Sequence, residues 1–428
     1  MRVLLLSDFY PPTVGGVEQH VQTLARELAG RGHTVSVGTV ATGGRAIEAQ
    51  DDRGANVFSL PTTLSRLPSA YREATRPFAP PAPDPELTLN LARLVRRVRP
   101  DVVHAHGWII HSYIPIHPAV GVPLVATLHD YGLVCAKRSL VYRGATCSGP
   151  ALWKCLGCAS EHYGAARGVP ITLAEFTVRP IERRVVSSFI AVSNVVAQAS
   201  NLPGLDYEVI PNFLPRAEVT DDAALAPWLA ALPTRPFLLF VGALGSHKGF
   251  PQLLDAYGRL DRPPPLVCIG HRWVDTPDEV PEGVFIFEDW PHDAVLAAWE
   301  RSLIGLVPST WAEPFGLVAI EAMRAGVPLI ASRSGGLIDI VKDGITGLLV
   351  PPGDALALAE AIGELLSDVP RQLRMGASAK EAATRFEADV VVPRIEQVYR
   401  RVTSGHVTTR VSSAKPATSG DADKRNVM

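Results

Sequence analysis

This sequence predicts an α/β architecture of two doubly wound parallel sheets facing each other across a cleft. Short apolar, β-branched runs alternate with helical periodicity twice over, once before Pro211 and again after about Arg235. The 428 residues suit two to three domains at about 150 residues each. With 47% hydrophobic and 20% charged residues, each half can fill a core of its own, unlike a disordered chain.

The first unit reads strand, loop, helix, strand. Arg2–Ser7 is the opening strand, and DFYPPTVGG leads to a helix with Val17, Val21, Leu24, Ala25 and Leu28 on one face. Gly30 or Gly32 stops that helix, and Thr34–Val40 is the next strand. Asp101–His104, Leu124–Leu128, Phe189–Val192 and Glu208–Ile210 read as further strands of a parallel sheet. A helix over Leu91–Arg99 gathers Leu91, Leu94, Val95 and Val98 on one side and four arginines elsewhere. It is either docked by its apolar face or a basic surface for anionic lipid or a lipid-linked acceptor. The second series runs through Phe237–Gly242, Leu266–Gly270, Val284–Phe287, Leu303–Val307, Leu329–Ser332 and Leu348–Val350. The expected division is therefore 1–210 and 211–385, with a helix over 386–403 and a polar, aperiodic, disordered tail over 404–428. Ligands of such sheets sit beyond the strands' carboxyl ends, so the loops after strands carry the chemistry.

Charge narrows the partners. Lysine and arginine number 41 against 43 acidic residues, a balance that gives no reason to invoke nucleic acid. No apolar run reaches the roughly 18 residues of a membrane span. MRVLLLSDFY reads as a strand and not a secretion signal, because Asp8 arrives too early. Four of five cysteines crowd between Cys135 and Cys158, unlike a secreted disulfide scaffold. The expected location is the cytoplasm, with the basic helix as a candidate contact for the inner membrane face.

Gly15-Gly16 allows an anion to approach a helix N-terminus, although a glycine pair is also an ordinary turn. The three-glycine dinucleotide fingerprint is lacking, and TVSVGTV ends without an acidic residue, which disfavours a nicotinamide dehydrogenase. The most specific segment runs from Glu313 to Pro328. A loop carries Glu313, a helix starts near Gly316 or Leu317, and Gly326 with Pro328 ends it. Backbone N–H groups from Phe315, Gly316 and Leu317 onward would hold a diphosphate, with Glu313 and Glu321 on sugar and ribose hydroxyls. Either glutamate alone would pass as solvated or as a helix cap. Lys248 follows a strand in a glycine-rich loop and can neutralise a departing diphosphate.

At these residues the sequence resembles glycosyltransferase family 4. Glu313 and Glu321 match its spaced glutamate pair, and Gly15-Gly16, VGALGSHKG and SRSGGLIDIVKDGITGLLVPPGD match further segments over residues 1 to about 403. The resemblance implies the GT-B fold of two Rossmann-like domains, the second binding the nucleotide sugar. It implies retaining transfer from a UDP- or GDP-linked sugar to a hydroxyl acceptor in glycan, glycolipid or glycosylated-metabolite synthesis. Glu313 would contact the donor sugar and Glu321 the ribose. Lys248 would face the diphosphate, and His129, ending the strand Leu124–Leu128, would bond the donor sugar or acceptor. The final helix would cross back onto the first domain. The family's arginine directly after the glycine of VG is Ala243 here, so protonated His247 is the expected substitute cation. The only Asp-x-Asp triplet, Asp421-Ala422-Asp423, lies in the tail, so no cofactor or metal is expected for the chemistry. Rival readings are a nucleotide-sugar epimerase of the same fold and a nucleotide-sugar-binding protein with weak catalysis.

His104 and His106 share one strand face by alternation, so a metal pair is conceivable, beside a packing role. Cys135, Cys147, Cys155 and Cys158 are spaced C-x11-C-x7-C-x2-C. Four thiolates would suit structural zinc or an iron–sulfur cluster, against unliganded thiols. Cys268 in LVCIG reads as core.

Overall fold

The computed structural model describes residues 1–13, 15–41, 49–63, 79–202, 204–216 and 222–405. The tail beyond 405, with Asp421 and Asp423, lies outside the described residues. The first sheet contains β1 (Arg2–Ser7), β2 (Thr34–Val40), β3 (Gln50–Asp52), β4 (Ala55–Leu60), β5 (Val102–His106), β6 (Leu124–Leu128), β9 (Ser188–Ala191) and β10 (Tyr207–Val209). A separate hairpin joins β7 (Val141–Tyr142) to β8 (Ala145–Thr146). The second sheet contains β11 (Phe237–Val241), β12 (Leu266–Ile269), β13 (Val284–Phe287), β14 (Ser302–Val307), β15 (Leu329–Ser332) and β16 (Gly347–Val350).

Strand order in the first sheet is β10-β9-β6-β5-β1-β2-β4-β3, parallel except for β3 against β4. The second sheet runs β13-β12-β11-β14-β15-β16 and is parallel throughout. These are the two Rossmann-like layers of a GT-B fold. Each sheet is covered on both faces, which is why its central strands are predominantly apolar. Along β1, Leu4 and Leu6 enter one core cluster while Val3 and Leu5 enter another, the period-two alternation of a pleated strand. Along β11, Phe237 and Leu239 join the cluster shared across both domains, whereas Leu238 and Phe240 pack on the outer face.

The helix Pro85–Val98 is longer than the arginine-rich run suggests, because Asp84 caps it by accepting from Leu87 N–H. Leu87, Leu91, Leu94 and Val95 are buried, so its apolar face is docked in the core. Among the described residues no helix is long and apolar enough to cross a membrane.

The chain passes between domains twice, and the two passes run side by side, with Leu214 N–H donating to Phe386 O at 2.9 Å. The helix Ala388–Thr403 then lies on the first domain, burying Val391, Val392, Ile395, Val398 and Tyr399 with Val21, Leu24 and Leu28.

Candidate active site

Adjacency of β11 and β14 brings their following loops together. Gly249, at φ 76°, ends the short turn Ser246–Lys248, and the space a Cβ would take is filled by the Pro308 carbonyl. Thr310 ties the loops, its hydroxyl donating to Ser246 O at 2.7 Å and its N–H to His247 O at 3.1 Å. Lys248 Nζ consequently reaches Glu313 Oε1 at 2.9 Å and Oε2 at 2.8 Å. Ser309 Oγ and Trp311 Nε1 also donate to Oε2, each at 3.0 Å. Burial pushes the Glu313 carboxyl up, but the Lys248 charge and these hydrogen bonds outweigh it and hold it below its ordinary range. Glu313 is thus a fixed, ionised acceptor, and Lys248 a fixed cation beside it.

Gly335 supports the same loop from behind. Its φ is 60°, and a Cβ there would collide with the backbone of Glu313, while Gly336 N–H donates to Glu313 O at 2.6 Å. The helix Leu317–Arg324 begins after Gly316, at φ 107°, with no side-chain cap on its N-terminus. Gly16 of the first domain lies against Leu317, so the glycine pair meets this helix end across the cleft. Phe315 is buried against Phe386. One turn along, buried Glu321 holds His292 Nε2 at 3.0 Å. Burial pushes the His292 imidazolium down, yet the Glu321 carboxylate prevails and raises it overall. His292 was not singled out from sequence, since its partner is 29 residues away.

On the opposite wall, His129 ends β6, and Tyr131 donates to Ala312 O at 2.8 Å, one residue before Glu313. This bond ties the His129 loop to the Glu313 loop. His129 Nε2 lies 2.9 Å from His106 Nδ1. His20 joins them, with one ring nitrogen of each of the three lying within 4.8 Å of the others. His104 is spent, bonded to Tyr399 Oη at 2.7 Å and Thr127 Oγ1 at 2.6 Å. The conceivable His104–His106 metal pair is therefore corrected, because His104 has no nitrogen to offer. Burial pushes His129 down to about 4 and His104 to about 3, and His20 and His106 well below their ordinary value. Four neutral imidazoles form a packed floor, with His104, His106 and His129 hydrogen-bonded and His20 held by ring contacts.

His247 needs a second correction. Its ring sits between Trp273 and Trp311, at centroid distances of 5.2 and 6.2 Å. Burial and the Lys248 charge push its imidazolium down, so in the donor-free site it is neutral near pH 7 and not the standing cation expected from sequence.

Three further residues complete the first-domain wall. Buried Asp8, after β1, accepts from Trp108 N–H at 2.9 Å and Ile109 N–H at 2.7 Å. Arg138 lies 3.6 Å from Asp8 and 2.8 Å from Asp130. Burial pushes Asp8 up to about 6 against the pull of Arg138. Arg138, Asp130, His129 and Trp108 line one pocket opening beside the cleft. Asp8 at a strand end was the available cue, and it served only to argue against a secretion signal. The four clustered cysteines stand outside the cleft, around a cavity of their own.

Residues 229–382 match the family Glycosyl transferases group 1, and residues 14–217 match Glycosyltransferase Family 4. A glycogen synthase of Mycobacterium tuberculosis is 30% identical, covering 93% of this chain and 94% of its own. A D-inositol 3-phosphate glycosyltransferase of Catenulispora acidiphila is 31% identical over 71% of this chain and 73% of its own. Among solved structures, the sucrose-phosphate synthase of Thermosynechococcus elongatus superposes with TM-score 0.69 at 20% identity, covering 95% and 100%. An Anabaena protein solved with UDP-glucose superposes at TM-score 0.62 and 19% identity, covering 95% and 100%. Two parallel sheets facing each other across a cleft, and matches that span both halves, make this chain a member of glycosyltransferase family 4 with the GT-B fold.

Proposed function

We propose that this glycosyltransferase moves a sugar from a UDP- or GDP-linked donor to a hydroxyl acceptor with retention of anomeric configuration. The observation that carries the reading is the Lys248–Glu313 pair, held in an uncapped helix N-terminus that the Gly15-Gly16 loop meets from the other domain. The diphosphate lies on the first N–H groups of Leu317–Arg324 and beside Lys248, where a cation stabilises the charge that develops on departure. Glu313 accepts from donor-sugar hydroxyls, and Glu321 accepts from the ribose. The bond from the anomeric carbon to the diphosphate breaks, the bond to the acceptor oxygen forms, and the acceptor proton leaves with the diphosphate. Neutral His129 holds a hydroxyl of donor or acceptor by hydrogen bonding rather than by charge. The pocket at Asp130 and Arg138 receives the acceptor. The free cysteines suit a reducing compartment and support a cytoplasmic location.

Thermal shift against UDP-, GDP- and TDP-sugars tests the reading, because a ligand of the native state raises apparent stability. One nucleotide class should stabilise the enzyme, and transfer should require an added acceptor. Sugar isomerisation without acceptor would point to the epimerase reading, and no shift with any donor would remove the proposal.

A further inference from the structure

The excursion after Tyr131 carries a feature that glycosyl transfer does not use. Cys135 lies in the loop after β6, Cys147 directly follows β8, and Cys155 and Cys158 occupy the helix Leu152–Tyr163. These four side chains come from three separate pieces of chain, yet all line one small cavity. Three residues apart on a helix, Cys155 and Cys158 share a face, and that face is turned to the hairpin, where Cys158 Sγ donates to Val141 O at 3.9 Å. We propose that Cys135, Cys147, Cys155 and Cys158 form a zinc tetrathiolate site that fixes this excursion beside the acceptor pocket.

The surroundings suit an anionic centre. Backbone N–H groups of Lys137, Ser139 and Leu140 are directed at the Cys135 sulfur, as donors around a metal-bound sulfur would be. Lys137 and Lys154 line the same cavity. Zinc with four thiolates carries a net charge of −2, which these two ammonium groups balance. Binding releases four thiol protons and changes no oxidation state, so no oxidant or reductant is needed. None of the four is joined in a disulfide.

The local fold gives such a centre a purpose. The β7–β8 hairpin has two residues per strand, and a hairpin that short is marginal alone. Its β8 strand is exposed, and the helix Leu152–Tyr163 buries only Ala159 fully and has no side-chain cap at its start. The four sulfurs face the cavity without any three lying within 4.8 Å of one another. Coordination at about 2.3 Å per Zn–S bond draws hairpin, loop and helix together. The loop so fixed begins at Cys135, three residues from Arg138 in the acceptor pocket.

Elemental analysis of the full chain, purified without an affinity metal or chelator, should find about one zinc per chain. Mercurial titration should release that zinc as the fourth thiol is consumed. Cys155→Ser with Cys158→Ser should lower the zinc content at least tenfold and raise hydrogen exchange across 135–163, while Cys268→Ser leaves both unchanged. Should the double variant fail to fold, cobalt(II) exchanged into the native chain still reports the site through tetrahedral thiolate absorption. Four freely titrating thiols without metal would overturn the site. Zinc retained in the double variant would show that it binds elsewhere. Iron with acid-labile sulfide would overturn the zinc assignment.

Discussion

The Lys248–Glu313 pair is the residue whose chemistry the rest of the cleft protects. Glu313 is 8% exposed, so Lys248→Ala leaves a buried carboxylate with only Ser309 and Trp311. A destabilisation of about 3 kcal/mol is expected in urea melts, the lower end for breaking a buried pair. Lys248→Met with Glu313→Gln should recover most of that stability while turnover stays lost, which separates folding from catalysis. If the double variant transfers sugar at the native rate, neither residue is in the reaction. The histidine floor makes a second prediction. Its folded-state values sit below the unfolded value near 6.5, to about 4 at His129 and about 3 at His104. Between those limits the unfolded chain binds more protons, so stability is present above pH 6.5 and drains as pH falls toward 4. The urea midpoint should drop steadily over that window, and a flat profile would sink the assignment of neutral imidazoles. Among the described residues neither ring nitrogen of His20 has a hydrogen-bond partner, so His20→Phe should shift the midpoint little at pH 7.

At the scale of elements, the helix Ala165–Val185 places Glu175 in the interior behind the acceptor wall. Burial and the nearby Glu182 push its carboxyl up to about 8, against His111 and Arg138. The folded state therefore binds the extra proton, and this contribution is lost as pH rises from about 4.5 to 8. Glu175→Gln should flatten that alkaline limb in thermal melts, and an unchanged limb would remove Glu175 as its source. Gly335→Ala should cut turnover at least tenfold by displacing the Glu313 backbone, with kinetics as the check. Elements were legible in the sequence where they were simple. Buried parallel strands such as Leu124–Leu128 and Leu329–Ser332 are predominantly apolar, and their bounds can be read directly. Ala55–Leu60 was missed because Asn56 and Ser59 interrupt its apolar run. Glu313, Lys248 and His129 stand in local motifs at strand ends. Asp8, Arg138 and His292 do not, since each acquires its role from partners that folding supplies across long stretches of chain.

Over the whole molecule, the two domains are held together by few polar bonds. Tyr131 donates to Ala312 O, Ser193 Oγ to Pro314 O at 2.5 Å, and Asn194 N–H and side-chain amide to Asp339 at 2.8 and 3.1 Å. Tyr131→Phe with Asn194→Ala should enlarge the donor-free radius of gyration in small-angle scattering, and saturating nucleoside diphosphate should restore it. An unaltered radius would mean that these bonds do not govern opening. The returning helix Ala388–Thr403 has a different outcome, set by the direction of synthesis. Its Tyr399 reaches His104 beneath the active site, and Val391, Val392, Ile395 and Val398 fill the first domain's outer face. The second domain is continuous in sequence and can close as soon as it leaves the ribosome, whereas the first must wait with an open apolar face until the last helix is made. A stop codon near residue 387 therefore damages the half of the enzyme that was translated first.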